Sequence, residues 1–215
     1  MLEIYSKLAD LTLEWNEKIN VTAIKDKEEF INKNVIDSLS FAGRPEIESA
    51  KRILDVGTGG GYPGLPLAIN YPDKEFVLTD AVGKKLTVVK DVASKLGVSN
   101  VTAVHGRVED LAKDKKYREC FDLVVSRAVA NMSTLSEYCL PFVKVGGFFA
   151  AYKTETAADE VAAAKRAIEL LGGELSEIVS SNQQDSGHNF VIIRKIKSTP
   201  SVYPRKAGTP SKDPL

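Results

Sequence analysis

A short apolar run that breaks into glycines constrains this chain more than any other feature. Arg52-Ile53-Leu54-Asp55-Val56 reads as a buried strand, and Gly57-Thr58-Gly59-Gly60-Gly61 sets four glycines within five positions straight after it. Glycine takes positive φ at little cost and leaves no Cβ between the backbone and a ligand. Pro63 and Pro66 follow, and proline suits the first turn of a helix. Strand, ligand-hugging turn and helix start together open a nucleotide-binding α/β unit. The plainer alternative is a tight glycine turn that binds nothing.

The acid at the end of the strand narrows the ligand. Gly59-Gly60-Gly61-Tyr62-Pro63-Gly64 fits G-x-G-x-x-G, a pattern that glycine-rich text meets easily. A pyrophosphate at this turn would meet the carboxylate of Asp55, against the anion-binding logic of a helix N-terminus. A ligand with an ammonium and no phosphate would tolerate or use that charge, and S-adenosyl-L-methionine is one. The spacing Asp-x-Gly-x-Gly-x-Gly, met by Asp55, Gly57, Gly59 and Gly61, resembles the first motif of Rossmann-like methyltransferases.

At 215 residues, 43% hydrophobic and 27% charged, the chain suits one α/β domain with an extension. Its formal net charge of zero means that any nucleic-acid surface must be local. Cys120 and Cys139, with no histidine cluster, make neither a zinc site nor a disulfide framework, which points to a reducing, cytoplasmic setting and no metal. No apolar run is long enough to span a membrane, and the first residues lack the pattern of a signal peptide.

In chain order, residues 1 to about 18 read as an amphipathic helix, and a second helix is expected from about Lys27 to Phe41. Gly43-Arg44-Pro45 links this cap, residues 1–45, to the main domain, residues 46–197. From Ile53 onward strand and helix alternate, which predicts a largely parallel sheet. Strands are expected at 52–57, 75–80, 101–105, 121–126 and 148–153, the last after a Gly146-Gly147 turn. Helices are expected after Pro63 and at 83–96, 108–112, 132–140 and 156–171. Two closing strands, 174–181 and 189–196, flank a polar Asn182–Gly187 turn as a hairpin. The tail, residues 198–215, is basic and proline-spaced, and is expected to stay extended and track phosphates.

Candidate site residues fall at the carboxyl ends of the strands. Asp80, twenty-three residues past Gly57, is placed to accept from ribose hydroxyls or to cap the next helix. Val108 would offer backbone groups to an adenine and Glu109 or Asp110 would take its amino group; helix-start charge explains the acids equally well. Arg127 needs a partner, with a ligand carboxylate, an RNA phosphate, Asp55 or a structural ion pair as candidates. Lys153 ends its strand with the same ambiguity. His105 reads as a strand-end residue and His188 as surface.

Together these residues resemble the bacterial 16S ribosomal RNA guanine-N7 methyltransferase G family, also called glucose-inhibited division protein B. The resemblance covers nearly the whole chain. It is carried by Asn20-Val21-Thr22-Ala23, Val35-Ile36-Asp37-Ser38, Ile53 to Gly59, Tyr62-Pro63-Gly64-Leu65-Pro66, Asp80 with Gly83-Lys84-Lys85, Arg107-Val108-Glu109, Val125-Ser126-Arg127-Ala128 and the tail Arg205-Lys206-x-Gly208-Thr209-Pro210. Asn34 stands where relatives usually place a histidine. The resemblance implies a class I, Rossmann-like methyltransferase fold with an N-terminal helical cap. Its seven-stranded sheet would be mostly parallel with an antiparallel last strand. It also implies methyl transfer from S-adenosyl-L-methionine to N7 of the guanine at position 527, in the 530 loop of 16S ribosomal RNA, on the free RNA or on the small subunit.

Carried over, cofactor contacts fall on Asp55, Gly57, Gly59, Tyr62, Asp80, Ala81, Val82, Val108, Glu109 and Arg127. Arg127 and Lys153 would serve catalysis, and Arg107, Lys153, Arg205, Lys206 and Lys212 would meet the RNA. A monomer is expected. Guanine N7 has an in-plane lone pair and no proton, so attack needs alignment and no general base. Two rival readings stay open: an NAD-dependent oxidoreductase, and a non-catalytic RNA-binding or ribosome-assembly module.

Overall fold

The computed structural model describes residues 2–181 and 188–215. One sheet of seven strands runs through it: β1 (Arg52–Val56), β2 (Glu75–Asp80), β3 (Val101–His105), β4 (Phe121–Arg127), β5 (Val143–Lys153), β6 (Gly173–Ser180) and β7 (Asn189–Lys195). Their order is β3-β2-β1-β4-β5-β7-β6. The first five pair in parallel, and β7 runs antiparallel to both β5 and β6. The mostly parallel sheet with an antiparallel last strand is therefore as expected. The chain winds outward from β1 to β3 and returns to set β4 beside β1, so the strand order reverses there. A crevice opens at such a reversal, beyond the carboxyl ends of the strands.

The central strands are apolar on both faces because helices cover both. Ile53, Leu78, Leu123 and Val125 pack with helices Leu2–Asn16, Gly64–Asn70 and Gly83–Leu96. Leu54, Val56, Val77 and Val124 pack with helices Met132–Cys139 and Ala157–Leu170. Among the described residues no helix is long and apolar enough to cross a membrane.

Three local readings change. The second cap helix is not uniform: Lys27–Phe30, started by the Asp26 side chain accepting from the Glu29 N–H, widens into a π turn at Ile31–Ile36 and closes at Asp37–Leu39. The expected link at Pro45 is a short helix, Pro45–Ser49, with proline at its first position. Strand β5 begins at Val143 and runs through Gly146-Gly147 instead of starting after them. The pairing with β4 slips between Phe121 and Leu123, and a Cβ on Gly147 would lie 2.6 Å from the Asp122 carbonyl oxygen, so the glycines absorb the irregularity. The turn expected over Asn182–Gly187 lies outside the described residues, although β6 and β7 pair as the hairpin requires.

The tail is the largest departure from expectation: it folds back on the domain. Buried Glu137 accepts from the Arg205 backbone N–H at 2.7 Å and from its guanidinium Nη2 at 2.7 Å. Arg118 donates to the carbonyls of Thr199, Pro200 and Tyr203, and Thr134 Oγ1 donates to Pro210 O at 3.0 Å. Fully buried Lys195 donates to Leu140 O and Thr199 Oγ1 near Glu119, and burial pushes its ammonium down to about 8. A short helix, Thr209–Lys212, ends the packing. Proline spacing signalled extension, but Arg118, Glu119, Thr134 and Glu137, all far from the tail in sequence, supply the anchors.

Truncating Arg205 leaves the buried Glu137 carboxylate without its counter-charge, with only the backbone N–H at 205 still donating to it. Arg205→Ala is expected to lower the unfolding free energy by about 3 kcal/mol, whereas exposed Lys206→Ala changes it by less than about 0.5 kcal/mol. Urea denaturation of both variants measures this, and equal small losses would show that Glu137 does not depend on the tail.

Candidate functional site

The glycine turn is closed by the carboxylate that precedes it. Asp55 is fully buried, and its Oδ2 accepts from Thr58 Oγ1 at 2.6 Å and from the Gly64 N–H at 2.8 Å. One oxygen thus ties the start of the turn to the start of the following helix. Asp55 Oδ1 is buried with no hydrogen-bond partner among the described residues. Burial pushes the carboxyl up to about 6, against the pull of the Thr58 and Gly64 hydrogen bonds. Gly57 has φ +72° and a Cβ there would lie 2.5 Å from Val129 Cγ2, so the β4 loop closes on the turn. Gly59 has φ +58° and open space where its Cβ would be.

Asp80 sets the outer wall. Its Oδ2 accepts from the Gly59 N–H at 2.9 Å and its Oδ1 from the Val82 N–H at 2.8 Å. It therefore braces the glycine turn and the Ala81-Val82 loop, both of whose residues are exposed. His105 ties that loop from the next strand through Ala81 O at 3.1 Å. Two expected contacts turn out differently aimed. Tyr62 points away from the open position into the cap: its ring packs edge-on against Phe30 at 5.4 Å, and its hydroxyl lies 3.0 Å from Thr12 Oγ1. Glu109 is buried and its Oε1 accepts from the Gly208 N–H at 2.8 Å, so the carboxylate faces the tail. Val108, at the start of the helix Val108–Leu111, remains half-buried on this wall.

Beyond β4 and β5 a cleft of about 960 Å³ opens between the cap and the sheet. Arg127 stands in its wall, and its partner is Asp37, not Asp55. Its Nη1 donates to Asp37 Oδ2 at 2.6 Å and Lys33 O at 3.0 Å, and its Nη2 to Asn34 Oδ1 at 2.8 Å. The π turn thus brings Asn34 and Asp37 together onto one guanidinium. His188 Nδ1 meets the other oxygen of Asp37. Burial opposes ionisation of Asp37, but hydrogen bonds from His188 and Arg127 outweigh it and hold the carboxyl below its usual range. Ala128, with φ +56°, turns the chain sharply after Arg127, a left-handed conformation that alanine adopts only at some cost. Lys153 Nζ donates to Ala130 O at 2.7 Å and to Glu160 Oε2 at 2.6 Å.

The expected residues therefore form two adjoining groups. Asp55, Gly57, Gly59, Asp80, Ala81, Val82 and Val108 line or brace the ends of β1 to β3, while Arg127 and Lys153 line the cleft beyond β4 and β5. Arg107, Lys206 and Lys212 are exposed; Arg205 is not free, being held by Glu137 and Asp213. His188 and Glu160 went unnoticed as site residues. His188 joins a partner 151 positions away, a separation that no local pattern signals. Among the described residues no group of three or more His, Cys, Asp or Glu is placed to hold a metal ion. An unpartnered buried carboxylate oxygen, a glycine with free space above it and a second acid at the next strand end suit an uncharged ribose and an ammonium. They suit a pyrophosphate poorly.

Asp55 holds its proton more tightly in the fold than in the unfolded chain, where a carboxyl titrates near 4. Its ionisation therefore weakens the fold as pH rises from about 4 to about 6, and the loss is complete above that window. Asp55→Asn removes this dependence. Relative to the wild type, the variant is expected to gain up to about 3 kcal/mol between pH 4 and pH 7. Urea denaturation at several pH values measures the difference, and a pH-independent gap would show that Asp55 ionises normally.

Comparison with known proteins bears on the fold and the family. A family model described as GidB, rRNA small subunit methyltransferase G, matches residues 1–190. The ribosomal RNA small subunit methyltransferase G of Clostridium novyi (strain NT) is 51% identical over 208 residues, covering 96% of this chain and 86% of the relative. That of Clostridium beijerinckii is 48% identical over 218 residues, covering 99% and 91%. Among solved structures, the S-adenosylmethionine-dependent methyltransferase SibL aligns with a TM-score of 0.61 at 14% identity, over 83% of this chain and 60% of that one. The fibrillarin pre-rRNA processing protein of Methanococcus jannaschii aligns with a TM-score of 0.59 at 14% identity, over 78% and 77%. At such identities the structures speak for the fold, and the sequence matches speak for the family: this chain belongs to the rRNA small subunit methyltransferase G family.

Proposed function

We propose that the enzyme transfers the methyl group of S-adenosyl-L-methionine to N7 of a guanine in small-subunit ribosomal RNA, the position-527 guanine of the 530 loop being the expected target. The observation that carries this reading is the adjacency of two sites. A glycine turn with open space at Gly59, between the acids Asp55 and Asp80, adjoins a cleft lined by Arg127 and Lys153. The cofactor supplies an activated methyl on a sulfonium. Gly57, Gly59, the Ala81-Val82 backbone and Val108 would cradle it, and Asp80 keeps lone pairs for ribose hydroxyls after accepting from Gly59 and Val82. Asp55 would favour the ammonium electrostatically from beneath the turn. Tyr62 and Glu109 would act through the cap and the tail that they hold.

The chain's own part is alignment and exclusion of water. The target base leaves its stack to enter the cleft. A donor on N7 would block the attacking lone pair, so cations in the cleft must bind elsewhere on the base or on phosphate. The described guanidinium contacts of Arg127 run to the cap, which suits it to holding Asn34 and Asp37 over the cleft. Lys153 has three N–H donors and two are taken, leaving one for the substrate. Exposed Arg107, Lys206 and Lys212 would meet phosphates, with the salt dependence that such contacts bring. The enzyme is read as a cytoplasmic monomer.

Mapping N7-methylguanine in small subunits treated with the protein and labelled cofactor tests the function directly, and no such base would discard it. Lys153→Ala is expected to lower turnover by about 10²-fold with unchanged cofactor affinity, as for loss of one charge-assisted contact. Unchanged turnover would remove Lys153 from the substrate.

A further inference from the structure

Adenine and guanine carry the same in-plane lone pair at N7, so alignment of sulfur, methyl and N7 does not choose between them. We propose that the Lys153–Glu160 ion pair is the base-selecting element of the cleft, with Lys153 donating to guanine O6 and Glu160 accepting from guanine N1–H. This rests on the function proposed above and adds a residue, Glu160, that the sequence reading left unassigned.

The hydrogen-bond inventory carries the inference. Glu160 Oε2 accepts from Lys153 Nζ at 2.6 Å and from the Met132 backbone N–H at 3.0 Å, so that oxygen is fully engaged. Among the described residues Glu160 Oε1 has only Thr156 Oγ1, at 3.4 Å, at the outer limit of a hydrogen bond. Lys153 Nζ retains one N–H after Ala130 O and Glu160. Donor and acceptor capacity thus lie side by side in the wall of the cleft. The pair is also held firmly, because it joins the end of β5, the loop before Met132 and the first turn of the helix Ala157–Leu170. Lys153 is only 10% and Glu160 26% exposed, which limits competition from water.

The other carboxylate in the cleft does not offer this. Asp37 has one oxygen on Arg127 and the other on His188, and is 3% exposed. Guanine presents O6 as an acceptor and N1–H as a donor next to each other, which matches a lysine beside a glutamate. Adenine presents an amino group and a bare N1, which opposes donor to donor and acceptor to acceptor. Sites built to hydrogen-bond a substrate reject the mismatched analogue strongly, because buried polar groups are left unpaired. Reading this edge also leaves N7, on the far side of O6, free for the methyl group.

The test uses small subunits reconstituted with guanine, inosine or adenine at the target position and measures N7 methylation. Inosine keeps O6 and N1–H and lacks the 2-amino group. The wild type is expected to accept inosine within about tenfold of guanine and to methylate adenine at least about 10²-fold more slowly. Rejection of inosine, or equal use of adenine, would overturn the proposal without any variant. In Glu160→Gln the amide oxygen stays with the donors Lys153 and Met132, so the NH₂ group faces the base and now suits adenine N1. The variant is expected to keep its cofactor affinity and thermal midpoint while its guanine-to-adenine ratio falls at least about tenfold. A ratio unchanged from the wild type would reduce Glu160 to a structural partner of Lys153. If the wild type methylates guanine and only the selection arms fail, the proposed function stands and this inference falls; if it methylates no guanine, both fall.

Discussion

A single buried carboxylate holds the glycine turn in shape, and the rest of the site is built around that turn. Asp55 reaches across it to Thr58 and to the first N–H of the following helix, so the bend cannot open without stranding a charge in the interior. Keeping that carboxylate ionised in a dry site is unfavourable, as its upward displacement to about 6 records. An ammonium above the turn would offset the imbalance. The same group therefore shapes the turn and, on the proposed function, would favour a cationic amino-acid ligand over a pyrophosphate, two roles that a neutral residue would not combine.

Around this turn the fold works by bracing. Asp80 fixes the turn from the second strand, Val129 closes on Gly57 from the fourth, and Tyr62 carries the position of the turn into the N-terminal cap. The cap answers through Asn34 and Asp37, which grip Arg127 at the end of β4, and through Tyr152, whose hydroxyl donates to Ser38 O at 2.8 Å. The cap is thus bound to both halves of the crevice. A chain-terminal segment does the same on the opposite flank, where Glu109 and Glu137 hold the tail against the third-strand wall and the helix Met132–Cys139. A methyltransferase that uses no general base depends on such rigidity, since its rate comes from alignment.

Much of this was legible in the residues. Alternating apolar strands and capped helices give the sheet, and the acid-then-glycine spacing marks the crevice, because both are local patterns with local causes. Asp80 and Arg127 could be singled out since a charge at the end of a buried strand needs a reason. What escaped was the pairing. Nothing near Arg127 names Asp37, nothing near Glu137 names Arg205, and His188 and Glu160 sit in ordinary surroundings in sequence. Proline spacing suggested an extended tail, but tertiary ion pairs decided its path. The Gly146-Gly147 pair looked like a turn before β5 and is instead a strand irregularity, a distinction that depends on the neighbouring strand's register.

The central claim is that the turn closed by Asp55 cradles an ammonium-bearing nucleoside. Calorimetric titration of the purified protein with S-adenosyl-L-methionine and, in parallel, with NADH tests it most directly. Saturable one-to-one binding of the first and no heat with the second is the predicted result. Saturable binding of NADH, with none of S-adenosyl-L-methionine, would contradict it.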